Sequence, residues 1–143
     1  MPRSNEPAAR GGWVRMTPAE VIAFSDENKR EVKRKVDQVI ERDMKPQLLK
    51  HTRRKPSFGE VEDVYTKWHG HNLILIAKRR GGVVVDRRVD DFEAKSGRLT
   101  LTGVDTFDVA YFRHTGRWWT IHSDVNFETA LALFRKPSPV WPW

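Results

Sequence analysis

Between Asp26 and Met44 the apolar side chains fall at Val32, Val36, Val39, Ile40 and Met44, at offsets i, i+4, i+7, i+8 and i+12. That spacing predicts one buried stripe on an α-helix, with the intervening Lys, Arg, Asp and Glu on its other faces. Upstream, Thr17-Pro18-Ala19-Glu20 has the make-up of a helix start. Thr17 can cap, Pro18 suits the first position and Glu20 closes a capping box. Ser25 predicts the opening of a second helix. Pro46 ends or kinks it, and Gln47 to His51 offer one further turn with Leu48 and Leu49 inward.

After Lys55-Pro56-Ser57-Phe58-Gly59 the period changes to that of strands. β-type runs are predicted over Val61–Trp68, Leu73–Arg79, Val83–Val89, Phe92–Thr102 with a break near Gly97, Phe107–His114 and Trp118–His122. Gly- and Asn-bearing links separate them, and links that short force antiparallel neighbours. Phe127, Ala130, Leu131 and Phe134 then return to helical spacing, with Asp124 or Asn126 as the cap. The predicted fold class is α+β: N-terminal amphipathic helices, an antiparallel meander sheet of four to six strands, and a C-terminal helix packed on the sheet. Residues 1–15 read as a mobile arm in which Trp13 and Val14 offer apolar anchors, 16–136 as a single domain, and 137–143 as a Pro/Trp-rich tail.

Composition narrows the chemistry. The chain has 143 residues and no cysteine, which excludes disulfides, thiolate metal sites and cysteine nucleophiles. No run approaches the ~18 apolar residues of a membrane span, and Met1 to Glu6 is not followed by the apolar core of a secretory signal. A cytoplasmic location is expected, with no membrane partner. The net charge of +7 favours polyanions, either nucleic acid or an acidic protein. Composition sets no oligomeric state.

Three stretches are distinctive together: Val64-Tyr65-Thr66-Lys67-Trp68; Phe92-Glu93-Ala94-Lys95 followed by Arg98-Leu99; and Phe112-Arg113-His114-Thr115-Gly116-Arg117-Trp118-Trp119. Their combination resembles a family of small bacterial proteins of uncharacterised function, over roughly Val61 to Phe134. The resemblance implies a bacterial origin and a single domain, and it carries no catalytic residue across.

Glu93-Ala94-Lys95 is similar to the acidic-x-Lys pair that restriction-type nucleases place on a strand, where the carboxylate holds Mg²⁺ and the lysine positions water. Such a site needs a second carboxylate one strand earlier, and Ile74 stands in that place; Asp86, Asp90 or Asp91 would have to substitute. The plainer reading of Glu93 and Lys95 is a surface charge pair. His69 and His71 flank Gly70, but zinc would need a third and fourth ligand, from His114, His122 or a carboxylate. No metal site, cofactor or catalytic residue is assigned on this basis. The basic groups are more coherent. Arg79 and Arg80 end one strand, Arg87 and Arg88 follow the Gly81-Gly82 turn, and Arg113, His114 and Arg117 surround a turn beside Trp118 and Trp119. Lys50, Arg53, Arg54 and Lys55 precede the sheet. Arginines beside aromatic rings are the material of phosphate contact and base stacking. Adjacent strand residues face opposite ways, so one of Trp118 and Trp119 is expected in the core. The sequence thus favours a non-catalytic nucleic-acid or polyanion binding module. Its rivals are a metal-dependent nuclease at Glu93 and Lys95, and a module for an acidic protein anchored by Trp141 and Trp143.

Overall fold

The computed structural model describes residues 17–49 and 57–143. The predicted arm with Trp13 and Val14 lies outside them, as do Lys50, His51, Arg53, Arg54 and Lys55. Two capped helices open the described chain. In α1 (Pro18–Ala23) the Thr17 hydroxyl accepts from the Glu20 N–H at 3.2 Å, and the Glu20 carboxylate accepts from the Thr17 N–H at 2.6 Å, the reciprocal box expected. Ser25 caps α2 (Asp26–Val39), accepting from the Asn28 N–H at 3.1 Å. Pro46 does not stop this helix. The chain widens into a π-helical turn, Ile40–Met44, and runs on through α3 (Lys45–Leu48). Proline has no N–H for the carbonyl one turn back, and the widened turn lets the Lys45 N–H reach the Ile40 carbonyl instead. The apolar stripe survives the widening: Val32, Val36, Val39, Ile40 and Met44 are all buried.

Seven strands follow: β1 (Val61–His69), β2 (Asn72–Arg79), β3 (Gly82–Val84), β4 (Arg87–Val89), β5 (Phe92–Leu101), β6 (Phe107–Phe112) and β7 (Trp118–Val125). Five form one antiparallel sheet in the order β1-β2-β5-β6-β7, a meander interrupted only by the β3–β4 hairpin. The single run read over Val83–Val89 is therefore two short strands. They reverse at Val85 and Asp86, whose φ angles of +48° and +62° make the two-residue turn. Gly81-Gly82 is not that turn. Gly81 lies so close to the Val89–Asp90 backbone that a Cβ there would sit 2.0 Å from the Val89 carbonyl oxygen. This is the neck where the hairpin leaves the sheet.

Residues opposed across antiparallel strands share a face. Val64, Leu73, Leu75, Leu99, Val109 and Phe107 thus turn to one side, where they meet the α2 stripe and α4 (Phe127–Arg135) in a continuous core. Asn126, not Asp124, caps α4, accepting from the Thr129 N–H at 2.8 Å. Polar contacts also cross the layers: the buried Thr66 hydroxyl donates to Asp37 of α2, whose carboxylate also takes Lys33 at 2.6 Å, and Lys45 reaches Asp63 of β1 at 2.9 Å. No helix among the described residues is long and apolar enough to cross a membrane.

The C-terminal segment is part of this core. Val140 and Trp141 are 0% and 2% exposed and pack on the helix side of the sheet. The break read at Gly97 is a bulge. Leu75 pairs with Gly97 and Ile76 with Lys95, leaving Ser96 as the extra residue. Glycine is required here because a Cβ would stand 2.8 Å from that of Val140. The indole N–H of Trp141 donates to the Leu133 carbonyl at 3.2 Å, and the Ser138 hydroxyl donates to the same oxygen at 2.7 Å.

Candidate functional site

Antiparallel order collects the sequence's candidate residues at one end of the sheet. The ends of β2 and β6 and the starts of β5 and β7 are neighbours there, and the β3–β4 hairpin springs from the same end. Arg79, Lys95, Arg113 and His114 line one cleft of about 450 Å³, together with Tyr111, Phe112 and the tail residues Trp141 and Trp143. No Asp or Glu lines it.

Arg79 is held between two carbonyls. One guanidinium nitrogen donates to Gly59 at 2.8 Å and the other to Trp143 at 2.7 Å. Burial pushes its pKa down from the ordinary arginine value, yet a guanidinium keeps its charge in proteins. Neither Lys95 nor Arg113 makes an ion pair among the described residues; each lies over a ring instead. The Lys95 ammonium is 5.8 Å from the centre of Phe112 and the Arg113 guanidinium 4.9 Å from that of Trp119. On the helices, several cations are matched by acids. Lys33, Arg34, Lys35, Arg42 and Lys45 all pair with carboxylates on or beside the helices. Lys95 and Arg113 are thus cations without an acid partner among the described residues.

The other predicted basic residues divide. Arg80 is turned away and paired with Glu62 at 2.8 Å. Arg87 and Arg88 are exposed on β4, within a hairpin that also carries Asp86, Asp90 and Asp91. The Gly81 N–H donates to Asp91 at 2.8 Å and is the leading cause of that carboxyl lying below its usual range. The hairpin is consequently close to neutral and does not extend the basic field. Arg117 is exposed in the turn that brings its carbonyl to the Arg113 N–H at 2.8 Å.

The tryptophan expectation is corrected. Neither Trp118 nor Trp119 enters the core, because β7 is an edge strand and the pair lies at its end, away from α4. Trp119 is 53% exposed beside the cleft. Trp118 faces away from the helices, edge-on to Phe112 at 5.0 Å and with the Arg98 guanidinium 4.7 Å from its ring centre. Arg98 was singled out by no charge cluster. Its Nε is buried without an acceptor among the described residues, and desolvation is the main cause of its lowered pKa, opposed by Asp108. It belongs to a row across the sheet, Lys67, Ile74, Arg98, Ala110 and Thr120, on the face that no described helix covers.

Glu93 faces Lys78 across the β2–β5 pair, while Ile74 faces Arg98. Among the described residues no three His, Asp or Glu side chains are grouped to hold one metal ion. His69 and His71 lie at the far end of the sheet from His114. His71 packs on Phe24 with ring centres 4.0 Å apart, and burial is the first cause, with Lys29 second, of its pKa lying below the usual histidine value.

A family model described as a domain of unknown function, DUF3024, matches residues 24–141. No curated protein and no solved structure matches the chain.

Proposed function

This chain belongs to the DUF3024 family, and from that premise we propose that it is a non-catalytic binding module for nucleic acid, holding phosphates in the cleft at the basic end of its sheet. The observation that carries the reading is the cleft's lining: Arg79, Lys95, Arg113 and His114 converge with aromatic rings and without an Asp or Glu side chain. Three full positive charges in a half-enclosed space attract anions, and ring faces beside them suit the bases that phosphates carry. The absence of chemistry is supported by the neighbour of Glu93, which is the cation Lys78. The cysteine-free composition suits a reducing, cytoplasmic setting.

Three phosphate contacts on a single strand give a slope of about −2 in log K against log[salt]. Affinity for a labelled oligonucleotide should therefore fall roughly 15-fold between about 50 and 200 mM salt, and a fluorescence-anisotropy titration over that range checks it. Binding that ignores salt, or no binding with protein near 100 μM at the lowest salt, refutes the reading.

A further inference from the structure

The tail that closes the cleft ends in a ring held in place and left open. Trp143 is 71% exposed, although its indole N–H is satisfied by the Ser138 carbonyl at 2.8 Å and its main-chain oxygen by Arg79 at 2.7 Å. It stacks on the buried Trp141, with ring centres 6.1 Å apart and planes 20° apart. Behind it, Val140 seats on Gly97 and Trp141 hangs from the Leu133 carbonyl. A loose chain end would not explain an indole fixed at this many points, and a core residue would not leave most of its ring in water. The ring is a preorganised apolar plate, and it lines the same cleft as Arg79, Lys95 and Arg113.

We infer that the ligand of this cleft is single-stranded nucleic acid, with a base stacked on Trp143 while its phosphates meet Arg79, Lys95 and Arg113; this rests on the phosphate-binding reading above and names its substrate class. The chemistry separates strands from duplexes. A duplex offers its phosphates but keeps its base faces stacked on each other. A single strand offers both, and every base has a face to lay on an indole, so the preference is for strandedness and not for sequence. Arg79 has two tasks in this arrangement: its two carbonyl bonds set the tail's position, and its charge faces the cleft.

The experiment compares a labelled oligothymidylate, an abasic deoxyribose-phosphate oligomer of equal length and a duplex of equal phosphate count, by anisotropy at low salt. The native protein should hold oligothymidylate about tenfold more tightly than either of the others. Trp143→Ala should remove the advantage of oligothymidylate over the abasic oligomer, and Trp143→Phe should restore most of it. Thermal melts of the variants verify that they fold. Should Trp143→Ala fail to fold, the native comparison and Trp143→Phe still decide. Equal affinity of the native protein for the oligothymidylate and abasic oligomers overturns the stacking and leaves the phosphate reading standing, whereas equal displacement by polyglutamate, which carries neither phosphate nor base, overturns both. Binding of none of the three overturns both. A preference for bases that persists undiminished in Trp143→Ala overturns the assignment to Trp143.

Discussion

Val36→Asp should destabilise the protein by on the order of 4 kcal/mol, the largest stability change we expect from any single substitution on α2. Val36 is wholly buried at the middle of the helical stripe. It belongs to a core of predominantly aliphatic and aromatic side chains from the helices, the sheet and the C-terminal segment. An aspartate there gives up the transfer energy of the valine and leaves a carboxyl group without a partner, whichever protonation state it takes. At roughly 3–5 °C per kcal/mol for a domain of this size, the midpoint should drop by about 12–20 °C. The deficit should also depend on pH. Burial raises the carboxyl pKa in the folded state, so its protonated form is the less costly one. Stability is then best retained below the unfolded value near 3.9 and is lost as pH rises above it. The deficit measured at pH 7 should therefore exceed the deficit at about pH 4. Gln38→Asp on the exposed face of the same helix should cost only about 0.5 kcal/mol, which separates burial from helix propensity. Paired thermal melts of the two variants make the comparison.

The second large effect is on binding. Replacing Lys95 and Arg113 by glutamine should weaken single-strand binding roughly 50-fold near 50 mM salt and make the salt slope shallower by about 1.4, two contacts' share on a single strand. Reversing both to glutamate should abolish detectable binding. These two cations make the sharper test because each lies over an aromatic ring and donates no side-chain hydrogen bond among the described residues. Arg79 is less suitable, since its bonds to Gly59 and Trp143 hold the structure as well. The double variant should melt within a few degrees of the native protein. Arg87→Gln with Arg88→Gln is the contrast. Those side chains share their hairpin with three aspartates, so their removal should move the slope by less than half as much. A hairpin pair that mattered more than Lys95 and Arg113 would transfer the site to β4.

The elements that could be read from the sequence are those governed by local rules. The Thr17 and Ser25 caps, the α2 stripe and the glycine-bearing links at Gly70, Gly103 and Gly116 are each decided within a few residues, and they stand in the structure as expected. The misread elements depend on contacts between distant segments. Val85-Asp86 carries no glycine or asparagine, so its reversal was invisible to turn chemistry and the hairpin looked like one strand. The proline-rich end has no periodicity, yet Val140 finds the space left by Gly97 and Trp141 fills the core. Pro46 disrupts hydrogen bonding as expected, but a widened turn absorbs the loss.

The site was legible in part for the same reason. Clustering identified Arg79, Arg113, His114 and Trp119, all in or beside the cleft. It also pointed to Arg80, whose charge Glu62 takes up from a neighbouring strand, and to Arg87 and Arg88, which lie outside. In the sequence Lys95 reads as half of an acidic-x-Lys pair or of a surface charge pair with Glu93. Tyr111, Phe112 and Trp143 join it through the sheet register and the path of the tail, and no local pattern reports either. One signal was available: Phe112 begins the densest Arg, His and Trp run in the chain, and alternation along β6 sets Tyr111 and Phe112 on opposite faces beside it.

The central claim is that the cleft between β5, β6 and the tail is where the ligand sits. Backbone amide shifts of isotope-labelled protein titrated with an oligothymidylate locate that contact directly. The expected result is a contiguous set of shifts over Lys95–Gly97, Tyr111–Gly116 and Val140–Trp143, with α2 and the tip of the β3–β4 hairpin unmoved. Shifts centred on Arg87 and Arg88 or on the helices, or a spectrum unchanged at saturating oligomer, would contradict it.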